Sequence, residues 1–80
     1  MYYLYLLKSG KDGGYYIGYS SDLKLRFENH CDGLVKSTKN RRPLNLIYYE
    51  AYSAEELARK REKSLKRFGS SYSGLLKKNR

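Results

Sequence analysis

The chain has 80 residues, 40% of them apolar, and carries 17 Lys and Arg against 8 Asp and Glu, a formal charge of +9. That content builds one small core with no second domain, and the charge excess points to a polyanionic partner, nucleic acid first. A single cysteine excludes an internal disulfide and a cysteine-rich zinc site, no apolar run approaches a membrane span, and Met1 to Leu7 lacks the basic n-region of an export signal; a cytoplasmic, non-membrane protein is expected.

The charge is uneven. Up to residue 35, Lys8, Lys11, Lys24 and Arg26 cancel Asp12, Asp22, Glu28 and Asp32, so the whole excess lies beyond, where only Glu50, Glu55, Glu56 and Glu62 oppose the bases. Residues 2 to 8 are rich in Tyr and Leu, and 15 to 19 repeat that bias. The polar, Gly-containing stretch Ser9 to Gly14 between them predicts a β-hairpin. A loop centred between Gly10 and Lys11 sets Tyr5 opposite Tyr16 and Tyr3 opposite Gly18, all on one face. Ser20-Ser21-Asp22 supplies N-cap chemistry for a helix of about ten residues, with Leu23 and Phe27 facing the core and Asp32-Gly33 ending it.

Residues 33 to 43 hold Gly33, Pro43, Lys36, Lys39, Arg41 and Arg42 with little apolar content, and read as an exposed basic loop. The run Leu46-Ile47-Tyr48-Tyr49 is apolar on both faces, which predicts a third strand, Leu44 to Tyr52, inside the sheet. Ser53-Ala54-Glu55-Glu56 matches a capping box for a helix running to about Arg67 and stopped by Gly69. A short last helix from about Ser71 would carry Leu75 and Leu76. In the longer helix Ala54, Leu57, Ala58 and Leu65 form an apolar stripe with Glu62 at its edge. Arg61 falls near the stripe's centre, as a buried ion pair or a helix irregularity would explain.

Ten tyrosines are the sharpest compositional anomaly. Most suit packing or surface roles, since Tyr is a good strand former with a large apolar body. Tyr5 and Tyr16 stand apart because they share a face beside the helix bearing Arg26 and His30. On spacing alone, Arg26 reads first as a surface partner of Asp22 and His30 as a helix-end residue, and Glu62 reads also as a solvated partner of Lys66.

Taken together, Tyr3-Leu4-Tyr5, ten residues, Tyr16-Ile17-Gly18, Arg26 and His30 four apart, and Arg61-Glu62-Lys63-Ser64-Leu65-Lys66 resemble the GIY-YIG nuclease domain. The likeness is to its small stand-alone members, related to the nuclease domain of the DNA-repair excinuclease, which have a basic Thr-containing loop ending in Arg-Arg-Pro, here Thr38 to Pro43. Tyr3 and Leu4 replace the glycine and isoleucine of the first triplet. The resemblance implies an α+β fold, a small three-stranded antiparallel sheet flanked by helices in ββαβαα order. It implies Tyr5 as general base with Tyr16 as helper or alternative, Arg26 binding the scissile phosphate, His30 assisting Tyr5, and Glu62 holding one divalent metal, Mg2+ or Mn2+. The expected activity is metal-dependent DNA endonuclease action, one strand per event, with DNA repair as its setting. Lys36, Lys39, Arg41, Arg42, Lys63 and Lys66 are the candidate phosphate-binding surface. The rivals are a binding module without catalysis that stacks bases on tyrosines, and a scaffold domain whose charge serves only solubility.

Overall fold

The computed structural model describes residues 1–67. Three strands, β1 (Tyr2–Ser9), β2 (Tyr15–Ser20) and β3 (Leu44–Tyr52), form an antiparallel sheet in the order β2-β1-β3. Helix α1 (Leu23–Cys31) follows β2, and α2 (Glu55–Arg67) follows β3. The expected stop at Gly69 and the last helix from about Ser71 lie outside the described residues.

The middle strand is β1. Its run Leu4-Tyr5-Leu6-Leu7 is at most 1% exposed, because strands pair on both edges and a helix covers each face. On one face Tyr5, Leu7 and Leu44 pack with Tyr16, Leu46 and the Leu23 and Phe27 of α1. On the other, Leu4, Leu6 and Ile17 pack with Tyr48, Tyr52 and the Leu65 of α2. Each buried leucine contributes about 1.5–3 kcal/mol by leaving water. The third strand is therefore an edge strand and not an inner one. Its two-sided apolar pattern reports that both faces are covered, and it carries no information about position in the sheet. A register shift between Leu6 and Leu7 sets Tyr48 opposite Leu6 and Leu46 opposite Leu7, leaving Ile47 as a bulge residue that packs on the α2 side.

The hairpin register differs from the expected one by two residues. Tyr5 pairs with Gly18 and Leu7 with Tyr16. The turn explains this: Ser9 N–H donates to the Gly14 carbonyl and Gly13 N–H to the Ser9 carbonyl, with Gly13 in the left-handed region at φ 73°. The loop is thus centred one residue later than expected. A shift of two preserves the pleat's alternation, so Tyr5 and Tyr16 still share a face.

Asp22 caps α1, its carboxylate accepting from Leu25 N–H at 3.0 Å. At the other end Gly33, φ 77°, closes the helix while Leu34 N–H reaches back to the Asn29 carbonyl. The basic loop is not wholly exposed as expected. Val35 and Thr38 are buried, and a 3-10 turn spans Lys39–Arg41. Helix α2 opens at Glu55, with the Ala54 carbonyl accepting from Leu57 and Ala58 N–H, so the start falls after the Ser53 cap expected. On its stripe Ala58 and Leu65 are buried, but Leu57 is exposed.

Candidate active site

The site is built where Tyr5 crosses the sheet toward the β2 edge. Gly18 lies directly opposite, and a Cβ placed there would stand 2.6 Å from the Tyr5 Oη and 2.8 Å from its Cζ. The absent side chain is the slot in which the phenol lies. Tyr16, two residues earlier on β2, flanks it with ring centroids 6.4 Å apart.

Helix α1 roofs this slot. His30 is fully buried, its Nε2 2.9 Å from the Tyr5 hydroxyl and its ring edge-on to both Tyr5 (5.6 Å) and Tyr16 (5.1 Å). One turn earlier, Arg26 is half-buried and directed at the phenols. Its pKa is raised chiefly by hydrogen bonding to the Tyr5 oxygen, with Tyr16 adding to the effect. Asp22 is occupied as the helix cap, and its backbone carbonyl accepts the Arg26 N–H. Burial, and then the positive charge of Arg26, lowers the His30 pKa to about 4. The ring is therefore neutral at pH 7. Burial also raises the Tyr5 pKa above its ordinary 10.0; Arg26 offsets this in part, while Tyr16 and Glu62 add to it.

Glu62 is carried by α2, which covers the opposite face, and its charge adds only the smallest of the contributions that raise the Tyr5 pKa. Its side chain is 16% exposed and pairs with Lys66 at 3.5 Å. Tyr5, Tyr16, Arg26 and His30 thus converge from β1, β2 and α1, while the fifth candidate, Glu62, stands on α2. Among the described residues no group of three or more His, Cys, Asp or Glu comes together, so a cation at Glu62 would have few such ligands from these residues. That suits an ion that keeps several of its waters, as magnesium does, and not calcium. A cleft of about 530 Å³ on the α1 side, lined by Tyr3, Leu23, Phe27, Leu46 and Tyr49 among others, contains none of these five residues.

The basic candidates fall into two groups. On the loop, Lys36 and Lys39 are exposed; Arg41 pairs with Asp12 at 3.4 Å, and Arg42 donates to the Lys39 and Cys31 carbonyls. On α2, Lys63 borders a groove with Lys60, Ser64 and Arg67, and Lys66 holds Glu62.

Two polar clusters exceed what the sequence conveyed. Thr38 is fully buried against His30, Oγ1 to Nδ1 2.7 Å. On the α2 face, Glu50 accepts from the phenols of Tyr48 and Tyr52 and from Arg61 Nε and Nη2 at 3.0 and 3.2 Å. This is the ion pair that Arg61 called for. Burial acts to raise the Glu50 pKa, but its four donors outweigh that and hold the carboxyl below its usual value.

A sequence model of the GIY-YIG catalytic domain matches residues 1–74. The chain belongs to the GIY-YIG family. It is 41% identical over 68 residues to a UPF0213 protein of Staphylococcus saprophyticus, covering 84% of this chain and 82% of that one. A Staphylococcus aureus UPF0213 protein is 40% identical over the same length. The solution NMR structure of a UPF0213 protein from Bacillus halodurans superimposes with a TM-score of 0.57 at 32% identity, covering 94% of this chain and 85% of that one. In this GIY-YIG chain the two signature triplets are Tyr3-Leu4-Tyr5 on the inner strand and Tyr16-Ile17-Gly18 on the edge strand. The glycine of the second triplet is the one whose missing side chain admits the tyrosine of the first. No helix among the described residues is long and apolar enough to cross a membrane.

Proposed function

We propose that this GIY-YIG protein is a metal-dependent endonuclease that hydrolyses DNA phosphodiester bonds one strand at a time. The observation that carries the reading is the hydroxyl of Tyr5, in contact with a neutral imidazole on one side and a guanidinium on the other. In the reaction Tyr5, as phenolate, takes a proton from a water whose oxygen attacks phosphorus. The bond from phosphorus to one sugar oxygen breaks, and the departing oxygen takes up a proton from solvent. Arg26 binds the scissile phosphate and opposes the charge that builds on it.

Magnitudes assign the work. Handing the Tyr5 proton to His30 at rest moves it from a phenol above 10 to an imidazole at about 4, a cost on the order of 8 kcal/mol. A bound phosphate masks an Arg26 charge that depresses both His30 and Tyr5, so it leaves the difference between them largely in place; what lowers the cost is further positive charge beside the phenol, which favours its ionised form. Glu62 would hold a divalent ion, Mg2+ or Mn2+, which when bound would supply that positive charge and stabilise charge on the departing oxygen. Affinity comes from phosphate contacts by Lys36, Lys39, Arg41, Arg42, Lys63 and Lys66, with little base reading.

The test is supercoiled plasmid incubated with the full chain and Mg2+ or Mn2+, with and without chelator. Conversion to open circles that chelation abolishes is expected. Salt-sensitive DNA binding without cutting would replace the enzyme with a binding module.

A further inference from the structure

We propose that Thr38 is a positioning residue for the reaction: its hydroxyl accepts the Nδ1 proton of His30 and so fixes the imidazole in the tautomer that presents a bare Nε2 to the Tyr5 hydroxyl. This rests on the nuclease reading above and adds a residue from the basic loop to it.

The placement of the protons decides the direction of the chain. Thr38 and His30 are both fully buried, and Tyr5 is 1% exposed, so each hydrogen needs a partner within the protein. A neutral imidazole has one N–H and one bare nitrogen. If Tyr5 donates to Nε2 at 2.9 Å, Nδ1 carries the proton and donates to Thr38 Oγ1 at 2.7 Å, and the Thr38 hydroxyl turns to the Val35 carbonyl at 3.5 Å. All three protons then have acceptors. In the reverse order Thr38 donates to Nδ1 and Nε2–H donates to Tyr5. The Tyr5 proton then loses the acceptor that His30 offers, and Arg26, the cation beside the phenol, has none to give in its place. The last link is the long one, since the Val35 carbonyl already accepts from Thr38 and Lys39 N–H, but the direction of the chain does not depend on its strength.

The partner is a hydroxyl and not a carboxylate, which fits the environment. A carboxylate at Nδ1 would raise the ring's pKa and favour its charged form, in which Nε2 has no capacity to accept. A hydroxyl orients the ring while leaving it neutral, and still accepts from Nδ1–H when Nε2 takes up a proton during turnover. The loop secures this placement through Thr38 N–H and Lys39 N–H on the Val35 carbonyl and through Arg41 N–H on the Thr38 carbonyl.

His30 is the chain's single histidine, so its two ring nitrogens are read without ambiguity by 15N NMR on the whole protein at pH 7. The expected wild-type spectrum has a protonated Nδ1 and an unprotonated Nε2. Thr38→Val should move the proton toward Nε2 and lower the nicking kcat by about a hundredfold, the low end of what positioned acid–base groups supply, with KM and DNA affinity little changed. Thr38→Ser should restore both tautomer and rate. A wild-type ring protonated on Nε2 overturns the proposal without any variant, as does a folded Thr38→Val that nicks at the wild-type rate. A wild type with the expected tautomer that nicks no DNA overturns the nuclease reading instead, and with it the catalytic part of this role.

Discussion

Replacing Gly18 with alanine tests the site at its tightest contact. The new Cβ would lie 2.6 Å from the Tyr5 Oη, 2.8 Å from its Cζ and 3.3 Å from the Tyr16 Cε1, whereas ordinary contact begins at 3.4 Å. The phenol must therefore retreat by about 0.8 Å or the β2 edge must bow outward. Retreat is opposed by the buried His30 to which the hydroxyl is bonded at 2.9 Å. Overpacking of this kind costs about 1–3 kcal/mol, against about 0.4–1 kcal/mol gained from a less flexible unfolded chain. The steric term should win, lowering the melting temperature by several degrees at about 4–8 °C per kcal/mol. Nicking should fall further than stability accounts for, because displacement of Oη breaks its alignment with His30 and Arg26. The assay combines thermal melting, nicking rate and DNA affinity on one preparation, with Tyr5→Phe and the double variant completing a cycle. Loss of Oη removes the closest clash, so the two substitutions should be less than additive in stability. A Gly18→Ala protein that melts at or above the wild-type temperature and nicks normally would refute the slot.

Three other perturbations separate the roles. Arg26→Ala should lower the nicking rate at least about a hundredfold while leaving DNA affinity nearly intact, since one phosphate contact among many is lost; equal losses of binding and cutting in titrations would remove its catalytic assignment. Glu62→Gln should abolish turnover in Mg2+ with DNA affinity unchanged or slightly higher and stability altered by a few tenths of a kcal/mol at most, the worth of its pair with Lys66; undiminished nicking would leave Glu62 as that partner alone. The folded His30 pKa of about 4 lies below its ordinary 6.5, so stability is full above about pH 6.5 and falls by about 3 kcal/mol on acidification to about 4, as the unfolded ring binds a proton that the folded one refuses. Urea midpoints across that range should slope for the wild type and flatten for His30→Gln; a slope unaffected by the substitution would assign it to other groups.

Local chemistry carried most of the fold into the sequence. The hairpin, α1 and its cap, the third strand and the span of α2 are all readable from composition and turn residues, because each depends on neighbours in the chain. The order of strands is not. Both β1 and β3 are apolar on two faces, and which of them pairs on both edges depends on how the chain returns after α1. The hairpin pairing was legible only in its parity, since the Ser9–Gly14 hydrogen bond that sets the loop length leaves no composition signal.

The site was legible where the spacing along an element sets the geometry, as for Arg26 and His30 four apart on α1 and Tyr5 beside Tyr16 on one face. Thr38 was visible as part of a basic loop but not as a buried hydroxyl. Among so many charges nothing announces that Val35 and Thr38 turn inward beneath the C-terminal end of α1. Arg61 was half legible: its place in an apolar stripe demanded a partner, and the alternation Tyr48, Glu50, Tyr52 down one strand face is the signal that names it.

That partner ties α2 to the β3 edge of the sheet. Arg61 grips Glu50 with two nitrogens, and Glu50 is held from either side by Tyr48 and Tyr52 in the i, i+2 row beneath α2. With Leu65 packed one turn further along, this contact sets which side of α2 faces the sheet. Glu62 follows Arg61 by one residue, about 100° around the helix, so the contact that aims Arg61 at β3 turns Glu62 to a different side of α2, where it pairs with Lys66. The Arg61–Glu50 clamp thereby sets the direction in which Glu62, the cation ligand proposed above, leaves the helix.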